Sequence, residues 1–176
     1  MIEKIEEAVT NNKHTLIPDK VMSVINTSAG KASAMAAIPV PVIDMAAVAY
    51  VQLRMVEKVA DIYGKEVEER ASIIVTSIIG SVLSKLISEG LKSLATTTKL
   101  EQIFGESLIK AAIAGFFTTA TGEIYALHFQ NGGNVEDLSL DQVRDYIYDQ
   151  FQSDRLSIEN IAGELFSTVM KKFNLA

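Results

Sequence analysis

The stretch Ala111-Ala112-Ile113-Ala114-Gly115-Phe116-Phe117-Thr118-Thr119-Ala120-Thr121-Gly122 holds twelve residues without a charge, bounded by Lys110 and Glu123. Read at helical spacing, Ala111, Gly115, Thr119 (or Thr118), Gly122 and Ala126 share one face, while Ile109, Ile113, Phe116, Phe117, Ile124 and Leu127 lie opposite. Glycine inside a helix costs about 1 kcal/mol relative to alanine. Close approach of another helix is the usual compensation, so the segment predicts a helix over about Glu106–Phe129 with a thin contact face.

A second stretch of this kind lies upstream. Ala71 to Ser84 runs fourteen residues without a charge, and Ser77, Gly80 or Ser81, Ser84 and Ser88 recur at helical spacing. It predicts the longest helix, about Lys65–Glu89. Glu66, Glu68 and Glu69 in its first turns suit the positive end of the helix dipole, and Gly90 acts as its stop. The two thin faces are expected to meet in an antiparallel hairpin. The alternative uses for such faces are oligomer contacts or insertion of the hairpin into lipid, where small residues drive helix association.

Outward from this pair the pattern stays helical, because strand-like alternation is nearly absent. A first helix is predicted over about Asp19–Ala37, started by Pro18 and Asp19 and thinned by the Ala-rich run from Ala29 to Ala37. Pro39 and Pro41 then break the chain, since each lacks an N–H donor and forces its predecessor extended. A second helix follows over about Asp44–Tyr63, with Asp44 as N-cap and Gly64 as stop. Leu91–Phe104 reads as a linking segment in which the Thr98/Glu101 pair starts a short helix. Asn131-Gly132-Gly133-Asn134 is a loop. A fifth helix is predicted over about Leu140–Gln152, capped by Ser139 with Gln142 at the capping-box position. A sixth spans about Ile158–Phe173. The expected architecture is an all-α, compact bundle of five or six helices in one domain, residues 1–176, around a hydrophobic Ala/Gly-rich hairpin.

Composition narrows the function. There are no cysteines, which excludes thiolate metal sites and disulfides. The net charge is −6 with scattered Lys and Arg, which argues against nucleic acid as a partner. The N-terminal Met1–Glu7 is charged and unlike a secretory signal. A membrane span needs about 20 mostly apolar residues, more than any uncharged stretch here provides.

Chemistry is hard to place on this chain. His14 and His128 have no ligand-spaced neighbours, so no metal or other cofactor is expected, and His128 is assigned to the last carbonyls of its helix. Gly30-Lys31-Ala32-Ser33 lacks the strand and first glycine of a phosphate-binding loop. The carboxylates at Glu66–Glu69 and Glu136–Asp149 read as caps and solvated faces, without the pocket that acid–base work requires. No catalytic residue is assigned. The notable polar positions are Asp44, Gln52 and Arg54, which flank the most apolar helix. Their plain reading is a cap, a hydrogen-bonded core amide, and an arginine that snorkels or pairs with a neighbouring acid; the sharper one is a polar contact for a partner.

The order Ile38-Pro39-Val40-Pro41-Val42-Ile43-Asp44, Gln52-Leu53-Arg54-Met55 and Ile62-Tyr63-Gly64 resembles the signature of the YcjF-like, GTPase-associated bacterial domain of unknown function. Ala111–Gly115, with Thr118, Thr121, Gly122 and Phe129, is similar to that family's second Ala/Gly-rich helix, so the resemblance covers about residues 20–130. It implies an all-helical, non-enzymatic domain whose relatives occur alone, as inner-membrane proteins, or fused behind Era-like GTPase domains. This chain shows no GTPase domain, so a nucleotide switch would come from another chain. The expectation is an interaction or scaffold module, cytoplasmic or peripheral to the inner membrane, partnered by a GTPase or by itself. Its contact positions would be Pro39, Pro41, Asp44, Gln52, Arg54, Met55, Tyr63, Gly64, Gly115 and Gly122. The alternative is a membrane-inserting hairpin protein of anchor or pore-forming type.

Overall fold

The computed structural model describes residues 16–37, 41–95 and 98–152. Pro39 and the sixth predicted helix lie outside them. The described residues form an all-α bundle: α1 (Asp19–Ala36), α2 (Pro41–Ile62), α3 (Glu69–Ala95), α4 (Thr98–Gln130), a single 3-10 turn (Val135–Asp137) and α5 (Leu140–Gln152).

α4 is the axis. At 1.5 Å per residue its 33 residues extend about 50 Å. From Ala111 to Phe129 every position except the half-buried Thr119 is buried, on all sides of the helix. Such a helix must be wrapped by others. α1 makes the most extensive contact with it, and α2 packs on both α1 and α4. α1 runs antiparallel to α4, since Ser33 lies opposite Gly115 and Ile25 opposite Gly122. α2 runs parallel to it: Gln52 meets Thr118, Met55 meets Gly122 and Tyr63 meets Phe129.

These contacts correct the face by which the expected α3–α4 pair meets. The thin face of α4 packs on α1 and α2. A Cβ added at Gly115 would run into the Ser33 hydroxyl, and one at Gly122 would lie 2.7 Å from Ile25 Cγ1 and 3.0 Å from Met55 Sδ. A Cβ at Gly80 of α3 would meet nothing within 4 Å. α3 still contacts α4, and its buried residues are those of its apolar stripe, Ala71, Val75, Ile78, Ile79 and Val82. Glycine allows a close approach without choosing the partner helix, and here the Ala-rich α1 takes the place.

Several helix ends fall where the local chemistry puts them. Gly64 has φ +65° and closes α2, with Lys65 N–H donating to Ala60 O and Gly64 N–H to Asp61 O. Gly132, φ +89°, closes α4 with the same pattern onto His128 O and Phe129 O. The two parallel helices thus stop side by side. Lys65 joins the stops by donating to Gly132 O at 2.9 Å and Asn134 Oδ1 at 3.2 Å. α5 begins with the expected reciprocal cap: Ser139 N–H donates to Gln142 Oε1 and Gln142 N–H to Ser139 Oγ.

Four boundaries depart from expectation. α2 starts at Pro41, so Asp44 sits inside the helix and is not its N-cap. Proline suits a first helical turn, where its missing N–H would have no helical partner anyway. α3 starts at Glu69, leaving Glu66 and Glu68 in an irregular approach that follows the contact of Lys65 with the α4 stop. Gly90 does not end α3, which continues to Ala95, and most of the expected linker belongs to α3 or to α4. A helical glycine costs about 1 kcal/mol, which favourable packing readily offsets.

Candidate functional site

The most distinctive polar chemistry lies in the interior, where α2 faces α4. Gln52 is fully buried. Its Nε2 donates to Thr118 Oγ1 at 3.1 Å, and Thr118 Oγ1 donates to Ala114 O at 2.8 Å. Thr118, Thr121 and Tyr125 follow at i, i+3 and i+7, one side of α4. Gln52 Oε1, Thr121 Oγ1 and the hydroxyls of Tyr63 and Tyr125 have no partner among the described residues. Burial raises the Tyr125 phenol strongly and the Tyr63 phenol more modestly above the usual tyrosine value, so both stay neutral at physiological pH. Met55, buried between Gln52 and Tyr63, fills the space beside Gly122. The Phe129 ring lies 5.8 Å from Tyr125 and 6.3 Å from Tyr63.

This seam offers neutral hydrogen-bonding groups in an apolar surround. Such groups fix the alignment of two helices, because sliding α2 along α4 would strand the Gln52 amide without Thr118. The resemblance-based positions therefore divide. Gln52, Met55, Tyr63, Gly115 and Gly122 come together in or beside the core contact of α4. Gly64 sits at the stop beyond Tyr63. Arg54 is turned away, exposed, with Nη1 2.6 Å from Glu57 Oε2. The plain readings of Gln52 and Arg54 are those observed, while Asp44 loses its capping role.

Two polar contacts escaped the sequence reading. Glu123, between Gly122 and Ile124 in an apolar run, is buried and accepts a hydrogen bond from the Tyr146 hydroxyl at 3.3 Å. Burial first, and then the Glu123 charge, push the Tyr146 phenol far above its usual value. This contact joins α5 to α4. His128 reaches past the carbonyls of its own helix: Nε2 lies 3.0 Å from Asn134 O in the following loop and 4.0 Å from Asp137 Oδ2, with Gly133 packed on the ring. The carboxylates at Asp137, Asp141 and Asp145 are exposed and serve as a cap or as partners of Arg144. No group of three or more His, Asp or Glu among the described residues is arranged to hold a metal.

Among the described residues the two small-residue stripes are used unequally: that of α4 is packed in the interior, while the first part of that of α3 faces outward. On α3, Ile73 is 63% exposed and Ile74 39%, with Ser77 and Ser81 exposed on the same side and Gly80 half-buried beside them. No helix among the described residues is long and apolar enough to cross a membrane.

Comparison with known proteins gives two matches. The family described as "Domain of unknown function (DUF697)" matches residues 2–155. Magnetosome membrane protein 22 of Magnetospirillum gryphiswaldense is 34% identical over 125 residues, which cover 69% of this chain and 63% of that relative. The chain therefore spans less than two thirds of the relative's length. No solved structure matches.

Proposed function

The chain belongs to the DUF697 family, and from that premise we propose that it is a non-enzymatic contact module, peripheral to a membrane, that assembles through the outer face of α3. The observation that carries this is the unequal use of the two small-residue stripes. The α4 stripe is consumed in packing, whereas Ile73, Ile74, Ser77 and Ser81 remain exposed. Exposed apolar side chains beside small ones suit helix-to-helix approach, and a second copy presenting the same face satisfies both surfaces at once. The membrane placement is supported by the similarity to a magnetosome membrane protein. A GTPase on another chain is the partner that the family resemblance implies, and the α3 face is where it would compete with self-association.

The test is the mass of the purified full chain by light scattering, with Ile73→Glu/Ile74→Glu as the variant. The expected result is a dimer or larger assembly that falls to monomer in the variant, with an unchanged helical circular dichroism spectrum. A wild-type monomer, or an assembly indifferent to the variant, contradicts it. Carbonate washing of membranes from expressing cells adds the second reading: release fits a peripheral module, and retention fits an inserted hairpin.

A further inference from the structure

On the far side of α2 from the seam, the groove between α1 and α2 opens into two adjoining clefts of about 210 and 130 Å3. Ser28, Lys31 and Lys58 line both. Arg54 and the 64%-exposed Tyr50 form the rim of the larger, over a floor of Val51 and the buried Met55. Ser23 and Thr27 add hydroxyls to the smaller.

The two helices are less acidic than the whole chain: residues 19–62 carry four cations, Lys20, Lys31, Arg54 and Lys58, and four acids, Asp19, Asp44, Glu57 and Asp61, whereas the chain has a net charge of −6. Glu57 is engaged by Arg54. Neither Lys31 nor Lys58 has a hydrogen-bond or ion-pair partner among the described residues. Ser28 is only 8% exposed, and its hydroxyl is likewise unpartnered among them. Lys31 and Lys58, both exposed and from different helices, line one concavity together with the largely buried Ser28 and an apolar floor. An anion seated there would be attracted by both ammonium groups, and the apolar floor would strengthen that attraction.

We propose that the α1–α2 cleft is a binding site for a phosphate group, held by Lys31 and Lys58 as charged donors and by Ser28 as a neutral one, with Arg54 at the rim. Three tetrahedrally arranged acceptor oxygens match donors arriving from two helices. Lysine serves as a point charge toward phosphate, so strict geometry is not required. The phosphate belongs either to a lipid headgroup or to a soluble phosphate compound. The site lies on a different pair of helices from the α3 face and stands whether or not the chain self-associates.

The test uses the full chain with two probes, inorganic pyrophosphate by calorimetry and phosphatidylcholine vesicles with or without phosphatidic acid by flotation. Lys31→Gln/Lys58→Gln is compared with Lys31→Arg/Lys58→Arg and with Lys85→Gln/Arg144→Gln, which removes the same charge elsewhere. The expected result is binding of one or both probes that weakens about tenfold or more in the first variant, a loss of about 1.4 kcal/mol or more. The arginine pair should retain binding, and the distant pair should lose much less. Flotation only with phosphatidic acid, and no pyrophosphate heat, identifies a headgroup; the reverse identifies a soluble phosphate compound. The proposal fails if neither probe binds, or if both glutamine variants lose binding equally, which would reduce it to diffuse charge. Either failure leaves the mass of the α3-mediated assembly unchanged, so the two proposals are separable.

Discussion

Gly122→Leu is expected to destabilise the chain by about 3 kcal/mol, the upper part of the usual range for overpacking a close contact. A Cβ alone would stand 2.7 Å from Ile25 Cγ1 and 3.0 Å from both Ile25 Cγ2 and Met55 Sδ. Carbon atoms prefer separations of about 3.5–4.0 Å, so α1 or α2 would have to move. That movement would disturb the Gln52–Thr118 bond one turn away. Removing a helical glycine gains about 1 kcal/mol in intrinsic propensity, too little to offset the clash. Gly80→Ala is the matched control. Its new Cβ meets nothing within 4 Å, so the propensity gain should appear as a small stabilisation. Urea unfolding of both variants checks the pair. Equal effects would mean that α4 is not in close contact at Gly122.

The second large effect is expected at Gln52. Gln52→Ala should cost about 2–4 kcal/mol, since it opens a cavity in a fully buried site and removes the bond to Thr118. Gln52→Met with Thr118→Val keeps most of the volume and removes both polar partners. That double variant should unfold within about 1 kcal/mol of wild type, as apolar replacements of matched polar pairs often do. It should also show a less sharply defined near-ultraviolet spectrum, because Met fits several alignments of α2 on α4 while the amide fits one. If Gln52→Met alone costs as much as Gln52→Ala, the lost bond to Thr118, and not the cavity, sets the cost.

The stops of α2 and α4 and the start of α5 were readable because their causes are local. Gly64 and Gly132 supply the left-handed residue of a helix stop, and Ser139 with Gln142 closes a reciprocal cap. The thin face of α4 was readable for the same reason, since Gly115 and Gly122 impose a cost that only proximity explains. Its partner was not readable. Ser77 and Gly80 of α3 make as good a thin face in sequence as Ser33 and Ala29 of α1, and only the tertiary arrangement decides between them.

Asp44 misled because cap chemistry and first-turn acid chemistry look alike, and Pro41 can open a helix as easily as it can block one. Glu123 was invisible because its stabilising partner, Tyr146, lies 23 positions away. Lys31 and Lys58 belong to no motif; they meet only because α1 and α2 pack together. The candidate seam was therefore half legible, through Gln52, Met55 and Tyr63. The phosphate cleft was not legible at all.

Hydrogen–deuterium exchange of the full chain, free and bound to vesicles, tests most directly whether this protein works from its outer surface with a closed core. The account predicts that amides of residues 111–129 are among the slowest to exchange in both states, with new protection confined to outer segments such as 70–81. Fast exchange across 111–129 on vesicle binding would mean that α4 leaves the bundle and enters lipid, and would contradict it.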